Sequence, residues 1–185
     1  MIINIRGTSG SGKTTLVRAV LERNFSGSQP TPHLIPKRKR PIMSTWQEPV
    51  KLAVLGHYET ACGGCDTITK LDQVFDQARQ ASKLGYHVLM EGLLLSGEFA
   101  RTAALAAEED LRVVVLTTNV NDCVANVEKR RLARGDERPL DPTNTVLKDK
   151  TVRRVAERLG AEGVEVSRVP YDRALEIVET LLGVR

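Results

Sequence analysis

Three cysteines in 185 residues, Cys62, Cys65 and Cys123, cannot all pair with one another, so no disulfide framework is implied, and a reducing compartment keeps them as thiols. Cys62 and Cys65 with His57 sketch part of a zinc site, but structural zinc takes four ligands and no second pair follows. The chain contains no run of about 18 apolar residues, which excludes a membrane-spanning helix. Its N-terminus enters an apolar strand pattern at once, with no room for a secretory signal. The expectation is therefore a cytoplasmic protein without a membrane partner. Aromatic residues make up 4% of the chain, too few for a broad base-stacking platform. Internal repeats and low-complexity tracts are absent too, and 41% hydrophobic residues over this length suit one domain, 1–185, with a real core.

What is present is an alternation of short apolar runs with amphipathic stretches. It predicts strands over 2–6, 50–55, 87–91, 112–117 and 164–168, and helices over 13–23, 67–84, 97–108, 121–134, 145–159 and 172–182. Runs such as HVLMEG and RVVVLT are continuously apolar, as strands buried on both faces are. The fold class is α/β: a doubly wound parallel sheet of five strands with helices on both faces and ligands at the carboxyl ends of the strands. Residues 24–49 read as irregular.

The first strand runs into GTSGSGKTT, residues 7–15, and the first helix follows directly. Gly7, four residues, Gly12, Lys13 and Thr14 match the P-loop pattern in its required strand–loop–helix context. Gly7, Thr8, Ser9, Gly10, Ser11, Gly12, Lys13, Thr14 and Thr15 are thus the expected nucleotide-binding residues. Glycines let backbone N–H groups converge on an anion at a helix N-terminus, while Lys13 reaches the β/γ-phosphates and the Thr14 hydroxyl holds Mg²⁺. Lys13 is expected to face solvent in the absence of ligand. A guanine-reading Asn-Lys-x-Asp element and an Asp-x-x-Gly switch are missing, which excludes an ordinary GTPase. So are a strand ending in paired acids and the extra length of an oligomeric ATPase motor.

Glu91 stands where the strand YHVLM runs out toward the phosphate site. A carboxylate there either accepts the proton of an attacking hydroxyl or holds the water shell of Mg²⁺, the two tasks phosphoryl transfer sets. Downstream, NVEKRRLARGDERPLDP carries Arg130 and Arg134 four apart on one helical face, with Arg131 beside them and Arg138 in the following loop. These arginines either stabilise a transferring phosphate, Arg131 on the nucleotide and Arg138 toward the acceptor, or complement the helix dipole above a Gly135 terminus. Residues 130–143 read as a lid.

GTSGSGKTT, VLMEGLLLSG at 88–97 and EKRRLARGDERP at 128–139 together resemble the nucleoside and nucleotide kinase branch of P-loop proteins. With GHYETACGGCDTI added, the chain resembles the phage P-loop kinases that phosphorylate 5-hydroxymethyluracil in DNA. The resemblance implies a five-strand order of 2-3-1-4-5, ATP with Mg²⁺, and an arginine lid closing over the phosphates. It places the enzyme in the host cytoplasm, if phage-encoded. Gly92 follows Glu91 where many deoxynucleoside kinases have an arginine, a departure that argues against a simple free-nucleoside acceptor.

Two segments are candidates for the acceptor side. GHYETACGGCDTIT, 56–69, has glycines for close approach, Tyr58, and Asp66, which either bonds the acceptor or caps the helix near Thr67. SQPTPHLIPKRKRPIMSTWQEP holds five of the eight prolines. The charge of its Lys37, Arg38, Lys39 and Arg40 equals the whole chain's formal net +4, so the rest is neutral. That run is a solvated loop, a nuclear import signal, or a contact for a polyanion with Trp46 stacking on a base. The function expected is an ATP- and Mg²⁺-dependent kinase with a DNA-borne hydroxymethyl pyrimidine as acceptor. The alternatives are a kinase of a free nucleoside, nucleotide or other small alcohol, and a non-catalytic ATP-binding regulator.

Overall fold

The computed structural model describes residues 1–36, 38–60 and 63–185, so Lys37 and Cys62 lie outside the described residues. Its strands are β1 (Ile2–Arg6), β2 (Thr31–His33), β3 (Met43–Trp46), β4 (Leu52–Leu55), β5 (His87–Glu91), β6 (Leu111–Leu116) and β7 (Glu165–Val169). They form one sheet in the order β2-β3-β4-β5-β1-β6-β7. From β4 to β7 every pairing is parallel. Numbered in chain order, those five strands run 2-3-1-4-5, the order expected.

The sheet as a whole is seven-stranded and mixed, which corrects the five-stranded parallel expectation. β2 and β3 add antiparallel to the β4 edge, with Met43 opposite Leu55 and His33 opposite Met43. Both come from the stretch read as irregular. They are three and four residues long; pairing with β4 and burial of Met43, Thr45 and Trp46 hold β3, and pairing with β3 holds β2. Pro32 fits because β2 is the sheet edge, where a missing N–H costs no central ladder bond.

The helices are α1 (Lys13–Phe25), α2 (Leu71–Lys83), α3 (Leu93–Ser96), α4 (Ala100–Glu108), α5 (Val120–Leu132), α6 (Thr143–Ala161) and α7 (Tyr171–Leu182). Two cores flank the sheet: α2, α4 and α6 cover one face, α1 and α7 the other. β1 shows why a continuous apolar run was needed, since Ile2 faces the first core while Ile3 and Ile5 face the second.

The helix expected over 97–108 is α4, which begins at Ala100, and the short helix α3 precedes it; a buried arginine accounts for the break between them. Arg6, at the end of β1 and inaccessible to solvent, donates to Ser96 O at 3.3 Å, Glu98 O at 2.9 Å and Thr102 Oγ1 at 2.6 Å. It thereby satisfies carbonyls exposed between α3 and α4. Burial lowers the Arg6 pKa to about 10. The helix expected from 67 begins at Leu71, behind a single 3-10 turn at Cys65–Thr67.

Candidate active site

The loop between β1 and α1 is clamped from outside by the elements that follow β6 and β7. Thr8 Oγ1 donates to Thr145 O at 3.0 Å, Asn126 Nδ2 to Gly10 O at 3.0 Å, and Thr118 Oγ1 to Ser11 O at 2.9 Å. Gly10 and Gly12 hold φ of +80° and +98°. A Cβ on Gly12 would lie 2.6 Å from the Tyr171 ring, so conformation and space both require glycine there. Lys13 is not solvent-facing: it is 7% exposed, and its Nζ donates to Gly7 O at 2.8 Å and Thr8 O at 2.9 Å. An ammonium on so short a loop finds its nearest acceptors in the carbonyls behind it. Burial lowers its pKa, and Glu91 partly offsets the effect.

Glu91 is 1% exposed and accepts a 2.8 Å hydrogen bond from Thr14 Oγ1. Burial raises its pKa to about 7, against the opposing pull of Lys13 and of the Thr14 bond. Gly63 and Gly64 close over this pair. Gly64 bridges back to His57, and its backbone lies so near that an added Cβ would meet the Glu91 carboxylate and sit 2.7 Å from Glu91 O. Gly64 also holds φ +72°. Gly64→Ala should therefore strain the backbone by about 1–3 kcal/mol and displace the carboxylate. Melting should fall by several degrees, together with turnover; an unchanged melting temperature would refute this packing.

Asp66 does not cap the helix that follows it. Its carboxylate accepts from Leu93 N at 2.7 Å and Leu94 N at 3.2 Å, so it caps α3 instead. It also lines, with Glu91, Lys13, Thr14 and Arg130, a cavity of about 610 Å³ at the carboxyl ends of β1 and β5.

Of Arg130, Arg131, Arg134 and Arg138, the arginines read as part of a lid, Arg130 lines the cavity. Arg131 and Arg138 converge on Asp136, at 3.0 Å from Arg131 Nη2 and 2.8 Å from Arg138 Nε, and the pairing holds the Asp136 carboxyl well below the usual range. Arg134 lies past the end of α5, not on one helical face with Arg130. Gly135 does terminate the helix: at φ +75° its N–H donates to Leu132 O at 2.9 Å and that of Asp136 to Arg131 O at 3.0 Å.

Trp46 is buried and packs edge-on against Phe25, ring centroids 5.9 Å apart, rather than standing free to stack on a base. Arg38 donates to Thr67 O at 2.8 Å, which ties the basic loop to the turn carrying Asp66, while Lys39 and Arg40 are exposed. The Tyr58 hydroxyl is buried and has no partner among the described residues, its pKa raised well above the ordinary value by that burial. Arg18 was not anticipated. From α1 it donates to Tyr58 O, at 2.9 Å from Nε and 2.6 Å from Nη2, and to Thr60 O, and it lines the cavity. Only its place one turn beyond Thr14 on α1 hinted at this. Thr118, Asn126 and Tyr171 had no sequence signal, because their contacts are with loop backbone far along the chain.

Cys65 is buried, its Sγ directed at Leu55 O, and among the described residues no group of His, Cys, Asp and Glu is arranged to hold a metal ion. Among the described residues no helix is long and apolar enough to cross a membrane.

No protein-family model matches the chain. It is 40% identical over 185 residues to a 5-hmdU DNA kinase of Pseudomonas phage PaMx11, covering 98% of this chain and 96% of that protein. A 5-hmdU DNA kinase of Pseudomonas phage M6 is 26% identical over 189 residues, covering 97% and 96%. One from Delftia phage PhiW-14 is 37% identical over 67 residues, 36% of this chain and 22% of that protein.

Proposed function

The chain belongs to the family of phage 5-hmdU DNA kinases, and we propose that it transfers the γ-phosphoryl group of ATP to the hydroxymethyl oxygen of 5-hydroxymethyluracil in phage DNA, in the host cytoplasm. The observation that carries this reading is the meeting of Lys13, Thr14 and Glu91 under one glycine-rich loop at the strand ends. A P-loop NTPase fold suits the 2-3-1-4-5 parallel strands and the loop opening α1.

Loop N–H groups and the N-terminus of α1 bind the donor's phosphates, and Lys13 exchanges its carbonyl partners for β/γ-oxygens. The Thr14 hydroxyl is a hard oxygen donor of the kind Mg²⁺ takes alongside phosphates, with the Glu91 carboxylate beside it reaching the ion only through water. Bound there, the ion would neutralise charge on the phosphoryl oxygens. As the hydroxymethyl oxygen bonds to the γ-phosphorus and the bridge to ADP breaks, Glu91 accepts the hydroxyl proton and Arg130 stabilises the spreading charge. Asp66 lines the acceptor side, whereas Tyr58, expected there, does not line this cavity. Arg131 and Arg138, joined through Asp136, belong to the lid, Arg131 toward the nucleotide and Arg138 toward the acceptor.

Incubation with γ-labelled ATP and a panel of DNAs and nucleosides tests the assignment. Label should appear on DNA containing 5-hydroxymethyluracil and not on thymine DNA or on the free nucleoside; the reverse preference would overturn it. The exposed Lys39 and Arg40 should follow the DNA backbone. Changing both to Ser should lower the log–log salt dependence of the DNA KM by about 1 to 2, at about 0.7–0.9 per phosphate contact. An unchanged slope would remove this loop from the DNA path.

A further inference from the structure

We infer that the enzyme draws its target base out of the DNA stack, and that Leu94 is the side chain that wedges at the step left behind. The inference rests on the DNA acceptor reading and concerns how that acceptor is presented.

The C5 substituent of a stacked pyrimidine lies in the major groove, about 12 Å wide and 8.5 Å deep. A hydroxymethyl arm extends only one carbon beyond the ring. A kinase that phosphorylates it in place must therefore push its proton acceptor outward into the groove. Glu91 does the opposite. It is 1% exposed, bonded to Thr14 and covered by the Gly63–Gly64 backbone, at the bottom of a cavity of about 610 Å³ that the donor must share. One nucleotide of the acceptor fits that space and a duplex does not. Enzymes acting on a recessed base of this sort extrude it.

The rim bears what extrusion needs. A single exposed leucine is ordinary on a protein surface; Leu94 differs by its location. It is 55% exposed on α3, the turn directly after Glu91 and Gly92, beside Leu93, which lines the cavity. Asp66 fixes this turn through the Leu93 and Leu94 N–H groups, and the adjacent Thr67 carbonyl holds Arg38. The exposed cations Lys39 and Arg40 follow directly after Arg38, which this bond ties to the turn carrying Asp66. Phosphate-tracking charge beside an inserted apolar side chain is the arrangement by which proteins unstack and kink base steps.

The test uses three DNAs of one sequence, with 5-hydroxymethyluracil paired to adenine in a duplex, opposite a mismatch, or in a single strand, against the parent and Leu94→Ala. Unpaired acceptors should show KM values lower by about tenfold or more, the cost of unpairing being already met. Leu94→Ala should raise KM about tenfold on the paired duplex and leave the single strand within about twofold. That single-strand rate is also the control for folding. In the parent, 2-aminopurine next to the target should brighten on binding, and Leu94→Ala should reduce the signal. Equal KM on all three DNAs, or a Leu94→Ala loss shared equally by duplex and single strand, overturns the extrusion alone. Transfer to none of the three overturns the acceptor reading and the extrusion with it.

Discussion

Lys13→Ala should lower phosphoryl transfer by about 10³-fold or more, the scale on which removing a cation from a transferring phosphate acts. Its Nζ lies over the Gly7 and Thr8 carbonyls, so the charge is already inside the loop where β/γ-oxygens would arrive. The fold should survive. Burial already disfavours the ammonium, as its lowered pKa records, and Gly10, Ser11 and Thr8 are held by Asn126, Thr118 and Thr145 independently of Lys13. Circular dichroism and melting should therefore stay near the parent's while turnover collapses. A folded Lys13→Ala protein with ordinary activity would refute the phosphate-binding assignment of the loop.

Glu91→Gln should cut turnover by about 10²–10⁴-fold and leave nucleotide affinity intact, as expected for a lost general base. If affinity collapses instead while the bound complex turns over normally, Glu91 serves the metal or the structure. Its pKa of about 7 adds a pH signature. For the parent, kcat/KM should fall about tenfold per pH unit below 7, since the free enzyme's carboxylate must be ionised to accept a proton. The Gln variant should lack that limb.

Stability should move in the opposite sense. Between pH 4.5 and 7 the folded chain keeps a proton on Glu91 that the unfolded chain has released. Folding there takes up a proton, so stability falls as pH rises through this window. A shift of this size amounts to on the order of 3 kcal/mol at pH 8. Glu91→Gln, measured without nucleotide or divalent cation, should thus melt several degrees above the parent at pH 8 and match it at pH 4. Equal melting at both pH values would mean the carboxylate is solvated.

Arg18, Asp66 and Trp46 take partners that their neighbours in sequence do not indicate. The sequence offers Asp66 the acceptor or the helix near Thr67, but its partners are Leu93 and Leu94 N–H, nearly thirty residues on. Arg18 carries no signal in the sequence beyond its place on α1, and its contact with the Tyr58 carbonyl depends on how the chain after β4 folds back. Trp46 was judged by its basic neighbours, whereas β3 pairing turns it inward onto Phe25. The arginine cluster divided in the same way. The Gly135 terminus was legible as a local motif, while the pairing of Arg131 and Arg138 with Asp136, and the placement of Arg130 alone at the cavity, were not.

By itself the sequence determined the parallel α/β framework and the glycine-rich loop that joins β1 to α1, because both depend on short-range regularities: apolar runs buried on two faces, glycines at left-handed positions, a lysine and a hydroxyl at fixed offsets. Only the tertiary structure decided the two added strands, the break between α3 and α4 around Arg6, and the burial that lifts Glu91 toward neutrality under Gly64. Each of these arises from groups far apart in the chain competing for the same hydrogen bonds or the same volume, and that competition is settled only when the elements pack.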